Sequence, residues 1–157
     1  EVLRLNSAGH NSETRMKAEM AQVGGQAAQM YEKAYRLTFT LDRKKREPRT
    51  ARAIFAQIID KNPKFGPAYR GLGYTFVDDG FQMGKAIDWY RQSVRADPKY
   101  GLGHYGLAFL LPASGKATEG FKHFQKAISL GIKDERNLKG QFYKKFNGEI
   151  APHGGPN

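Results

Sequence analysis

Residues Pro67 to Pro98 read PAYRGLGYTFVDDGFQMGKAIDWYRQSVRADP. The stretch holds a helix-like run, an Asp78-Asp79-Gly80 break, a second helix-like run and a stop at Asp97-Pro98. Leu72 and Phe76 are four residues apart and share one helical face, and Ala86 and Tyr90 do the same in the second run. Asp79-Gly80 supplies the turn, and proline ends the second helix. A small residue at Ala86 allows the paired helices to approach closely. The aromatic ring four residues later fills the gap against whatever follows.

The same unit is written on either side. Shifting the chain by 35 residues puts Leu37, Leu72 and Leu107 in one column, Leu41, Phe76 and Leu111 in another, and Phe39, Tyr74 and Phe109 in a third. Ala51, Ala86 and Gly120 then align, as do Phe55, Tyr90 and Phe124, with a last step of 34 residues. Asn62-Pro63 and Asp97-Pro98 close the first two units, and Gly131-Ile132 stands at the end of the third. A period this long marks a helical solenoid, in which one helix pair cannot bury its apolar face but about three stacked pairs can.

These residues resemble the tetratricopeptide repeat family. In the middle unit Tyr69, Leu72, Gly73, Phe76, Ala86, Tyr90 and Pro98 sit at family signature positions, and the likeness covers residues 30–133. The outer units depart from it. Ala34 and His104 hold the large-aromatic slot, and Thr38 and Ala108 the glycine slot. The resemblance implies an all-α, right-handed superhelix of about three repeats (30–64, 65–99 and 100–133). It implies that the first helix of each repeat lines a concave peptide-binding face, and that the protein is a non-enzymatic scaffold or adaptor. Some members grip acidic C-terminal tails through lysine, asparagine and arginine in that groove. The asparagine position here holds Phe39 and Tyr74, so that specificity is not carried over.

The flanks extend the pattern. Residues 1–29 form an N-terminal segment in which Ser12 is placed to cap a helix over 13–23, broken at Gly24-Gly25. In the 134–147 segment Leu138, Phe142 and Phe146 fall at i, i+4 and i+8, as expected of an amphipathic helix sealing the last repeat. The tail 148–157 reads as disordered.

Composition narrows the classes. The chain has 157 residues, no cysteine, 39% hydrophobic residues and a formal charge of +11. Without cysteine there is no disulfide, thiolate zinc site or haem-attachment motif. No apolar window reaches the ~18 residues of a membrane helix. Basic residues exceed acidic ones 10 to 6, 8 to 5 and 8 to 4 in successive thirds, so the whole surface attracts acidic partners. The chain begins at Glu1, not Met, which leaves open a cytoplasmic protein or, if a leader was removed, a periplasmic or exported one.

The candidate binding residues follow from the register. Tyr35, Phe39, Arg70, Tyr74, Tyr105 and Phe109 are expected on the concave face, an aromatic stripe with an arginine at its centre. Aromatics and arginine are the usual anchors of binding hot spots. A second candidate is the basic run Arg43, Lys44, Lys45, Arg46 and Arg49, placed at a turn, with Pro48 in the first turn of the next helix. The expected partner is a protein or peptide carrying acidic or aromatic residues. Self-association through the repeat ends is open, as are a permanent place in a larger assembly and stacking on single-stranded RNA.

Enzymatic and cofactor readings find little. GLGHYG at 101–106 fits a dinucleotide pattern, but no strand precedes it. SGKAT at 114–118 lacks the upstream glycine and the hydroxyl residue directly after lysine. His10, His104, His123 and His153 show no metal-ligand spacing, and no nucleophile–base or paired-carboxylate arrangement emerges. Neither cofactor nor metal is expected.

Overall fold

A computed structural model of the chain describes residues 2–146, with side chains described from Ser12 onward. The tail at 148–157 lies outside the described residues, as do the side chain of His10 and the whole of His153. The described residues contain helices and no strands. In order these are α1 (Val2–Val23), α2 (Gly25–Phe39), α3 (Pro48–Lys61), α4 (Gly66–Asp78), α5 (Met83–Ala96), α6 (Gly101–Leu110), α7 (Ala117–Ser129) and α8 (Leu138–Lys145). Short 3-10 turns at Arg43–Lys45 and Pro112–Ser114 separate α2 from α3 and α6 from α7.

Each helix packs chiefly on its neighbours in the chain, and α4 also touches α2 and α6. The pairs α2–α3, α4–α5 and α6–α7 are joined by α3 on α4 and α5 on α6, and α2, α4 and α6 lie side by side as one layer. Local chemistry sets the boundaries. Pro48 and Pro67 sit in the first turns of α3 and α4, where a missing N–H costs nothing. Gly80 and Gly115 take φ of 74° and 84° at the turns inside the second and third pairs, conformations that favour glycine.

The repeated packing unit is a ring over a glycine. Phe55 of α3 is fully buried against Gly71 of α4, and Tyr90 of α5 lies against Gly106 of α6. Both glycines are 16 residues after their ring, and a Cβ at either would overlap it. In the third pair Phe124 instead meets the Phe142 ring of α8, with centroids 5.3 Å apart. Ala51 and Ala86 are fully buried at the crossings within their pairs, as their small size requires.

Three expectations are corrected. The first helix does not begin at Ser12: α1 runs through it, and the Ser12 hydroxyl lies 3.2 Å from the Tyr35 hydroxyl instead of capping. The last helix, Leu138–Lys145, is shorter than the 134–147 segment expected to form it. Asn137 adopts φ 54°, and the Asp134 carboxylate accepts from the backbone N–H groups of Leu138 and Lys139, so the helix starts at Leu138. Leu41 is 80% exposed and is no packing counterpart of Phe76 and Leu111, because α2 has already ended at Phe39.

Candidate partner-binding site

The layer of α2, α4 and α6 carries the predicted stripe. Along α2, Tyr35 and Phe39 are one turn apart, with ring centroids at 4.6 Å. Phe39 then meets Tyr74 of α4 at 4.9 Å. Arg70, one turn before Tyr74, lays its guanidinium over the Phe39 ring at 4.6 Å. On α6, Tyr105 and Phe109 complete the row. Phe39, Arg70, Tyr74, Tyr105 and Phe109 together line a cavity of about 150 Å³. Tyr35 is buried and faces a neighbouring hollow of about 430 Å³ with Phe39 and the exposed Leu41.

The six residues are not equivalent. Tyr105 is buried; its hydroxyl donates to Asp134 at 2.6 Å and accepts from the Arg136 backbone N–H at 2.9 Å. Burial and the Asp134 carboxylate raise its pKa far above the usual phenol value. Tyr105 thus holds the 134–136 segment against α6. That segment delivers a residue the repeat columns did not predict: the Arg136 guanidinium sits over the Phe109 ring at 4.2 Å and lines the cavity. Arg136 lies beyond the third unit, so no column pointed to it. Val77, Leu102 and Leu110 supply apolar wall.

Helix α1 shares this face. Met16 is buried with Tyr31, Tyr35 and Phe65, and the Glu19 carboxylate accepts from Tyr31 Oη at 2.6 Å and from Tyr100 Oη at 2.9 Å. Glu19 therefore ties α1 to α2 and to the start of α6. Burial first, then the Glu19 charge, lift both phenols well above their ordinary pKa. Farther along, Arg15 reaches Glu135 at 3.9 Å. The N-terminal segment thus covers the Tyr31–Tyr100 end of the layer, and the aromatic cavity lies beside it. Sequence spacing offered no sign of this, because Glu19 and Tyr100 are 81 positions apart.

The basic run divides. Arg43, Lys44, Lys45 and Arg49 are exposed, the first three on the 3-10 turn. Arg46 is not part of that patch. Its side chain is 11% exposed, donates to the Thr40 carbonyl at 2.8 Å and pairs with Asp78 at 2.9 Å. Arg52, six positions on, donates to the Thr75 carbonyl, pairs with Asp79 at 2.8 Å and covers the Phe76 ring at 3.8 Å. Asp78 and Asp79 are thereby structural turn residues.

Two histidines without metal spacing in the sequence meet in space. His104 Nδ1 lies 2.9 Å from His123 Nδ1, and His104 Nε2 lies 2.8 Å from the Pro98 carbonyl. A carbonyl only accepts, so the neutral His104 carries its proton on Nε2, and His123 Nδ1–H is the donor to His104. His123 Nε2 faces Glu119, which is itself paired with Arg91. Burial lowers the pKa of both rings, with Lys126 adding to this at His104 and the neighbouring imidazole and Arg91 at His123. Among the described residues no group of three or more ligating side chains could hold a metal ion. None of the described helices is long and apolar enough to cross a membrane.

No family model matches this chain, and a search of curated proteins returns no significant match.

Proposed function

We propose that the protein is a non-enzymatic interaction scaffold: a tetratricopeptide-like solenoid whose α2–α4–α6 layer is a concave groove that binds a peptide or partner protein. The observation that carries this is the convergence of Phe39, Arg70, Tyr74, Tyr105 and Phe109 on one cavity. Aromatic rings and arginine in a partly desolvated recess are the residue types that dominate binding energy at interfaces. Two further observations support the repeat reading. The ring-over-glycine contact recurs one unit apart, at Phe55–Gly71 and Tyr90–Gly106. In the third unit α8 takes the place of a following repeat, offering Phe142 to Phe124.

The test compares wild type with the Tyr74→Ala/Phe109→Ala double variant. Both side chains are half-buried at the cavity rim, so helicity by circular dichroism should be retained. A protein recovered from the source organism with wild type, and bound directly when purified, should lose at least roughly tenfold in affinity to the variant. Equal affinity would move the interface off this face. Unfolding of the variant would make the two rings core residues and remove the groove.

A further inference from the structure

The buried side-chain atom without a hydrogen-bond partner among the described residues is a donor on the cavity wall, Arg70 Nη1. The Tyr90 and Tyr100 hydroxyls lie within reach of the Arg70 guanidinium, but its Nη1 is buried without an acceptor and no carboxylate pairs with it among the described residues. Its charge persists nonetheless. Burial opposes it, while the oxygens of Tyr100 and Tyr90 and the Glu19 carboxylate favour it, and the balance raises its pKa well above the ordinary arginine value. Arg136 lines the same cavity, stacked on Phe109 and without a described carboxylate partner. The nearby acids are committed elsewhere: Glu19 to Tyr31 and Tyr100, and Asp134 to Tyr105, Leu138 and Lys139. The described lining thus holds two guanidiniums and no carboxylate.

A buried, unpaired N–H of a charged group is costly and is normally met by a ligand, ion or water. The stacking matters as well. Each guanidinium has one face on a phenylalanine, which leaves its edge N–H groups for in-plane hydrogen bonds. A recess of about 150 Å³ holds roughly five water volumes at ~30 Å³ each, the space of a short side chain and not of a nucleotide. Val77, Leu102 and Leu110 require apolar groups beside the anion.

We infer that this cavity is a carboxylate receptor: an Asp or Glu side chain of a partner peptide, flanked by apolar or aromatic residues, inserts between Arg70 and Arg136. This rests on the groove reading above and adds the chemistry of its occupant.

The experiment is an NMR titration of the full chain with acetyl-Leu-Glu-Phe-amide, its Gln counterpart and a short oligouridylate. The Glu peptide should shift the Arg70 Nε–H signal and the amides of Tyr74 and Gly106, and bind roughly tenfold more tightly than the Gln peptide. Arg70→Met should abolish that preference. Arg136→Gln, at an exposed position, should reduce it without a folding risk. Equal shifts from both peptides at these atoms would overturn the carboxylate inference and leave the groove standing. No shift from either peptide up to millimolar concentration would overturn the receptor itself, while the double-variant comparison still decides the groove. Oligouridylate moving the same signals more strongly would also overturn it, in favour of nucleic acid.

Discussion

Gly71→Ala tests the contact on which the repeated packing rests. Gly71 is buried on α4, and a Cβ there would overlap the ring of Phe55, which is itself fully buried. Overpacking of this kind costs about 1–3 kcal/mol. Replacing glycine by alanine in a helix returns up to about 1 kcal/mol. Three ring atoms of Phe55 fall in the overlap, which puts its cost in the upper half of that range, so after the propensity gain the net expectation is a loss of roughly 1–2 kcal/mol. At about 2–4 °C per kcal/mol for a chain of this size, the melting temperature should fall by some 2–8 °C. Gly84→Ala is the control: it lies on α5 with nothing within 4 Å, so only the propensity gain remains. Pairing Gly71→Ala with Phe55→Leu should give a loss smaller than the sum of the singles by about 1 kcal/mol, because the shorter side chain vacates the overlap. Urea unfolding of wild type and these four variants reads the energies, and thermal melts read the shift in melting temperature. A Gly71→Ala protein as stable as wild type would refute the close approach of α4 to Phe55, and with it the ring-over-glycine unit.

Three other outcomes follow from named contacts. Arg46→Ala removes a pair with Asp78 and a bond to the Thr40 carbonyl in a half-buried setting and should cost about 1–3 kcal/mol, whereas Lys44→Ala on the same turn should stay within about 0.5 kcal/mol; equal effects in urea melts would contradict the division of the basic run. Glu19→Ala leaves the Tyr31 and Tyr100 hydroxyls without their acceptor, and should cost about 1–3 kcal/mol and speed amide exchange in α1 while sparing α5 and α7; uniform exchange would show that Glu19 does not anchor α1. Because both rings at His104–His123 have folded pKa values below the unfolded 6.5, the unfolded chain binds more protons in that window. Stability should therefore be level above about pH 7 and fall as pH drops below 6.5. His123→Asn keeps a donor near the Nδ1 position but cannot titrate, and should make the fall shallower above pH 5, where Glu119, held below its usual range by Arg91, is still ionised and the buried His104 is the ring left to titrate.

The helix pairs were legible because their signals are local. Leucine and aromatic columns repeat at a fixed offset, and glycine and proline mark every turn. The candidate cavity was legible to the same extent: five of its lining residues fall in two columns of first helices. What escaped depends on the chain folding back on itself. Arg136 enters because Tyr105 and Asp134 pin a loop against α6, and no periodicity encodes that. Arg46 read as one more exposed cation in a basic run; only its reach to Asp78, 32 positions away, sets it apart. Leu41 matched its column by spacing alone, and the end of α2 two residues earlier took it out of the packing. His104 and His123 sit on different helices, so their contact is a property of the α6–α7 crossing.

The central claim is that the α2–α4–α6 face holds a partner. Its most direct test is site-specific photo-crosslinking in the organism that makes the protein, with benzoylphenylalanine placed at Tyr74 on the cavity wall and, separately, at exposed Tyr143 on α8. The account predicts a light-dependent adduct with one protein at position 74, mapped by mass spectrometry to a peptide containing Asp or Glu beside apolar residues, and none with that protein at position 143. An adduct at 143 alone, or the same adducts at both positions, would contradict it.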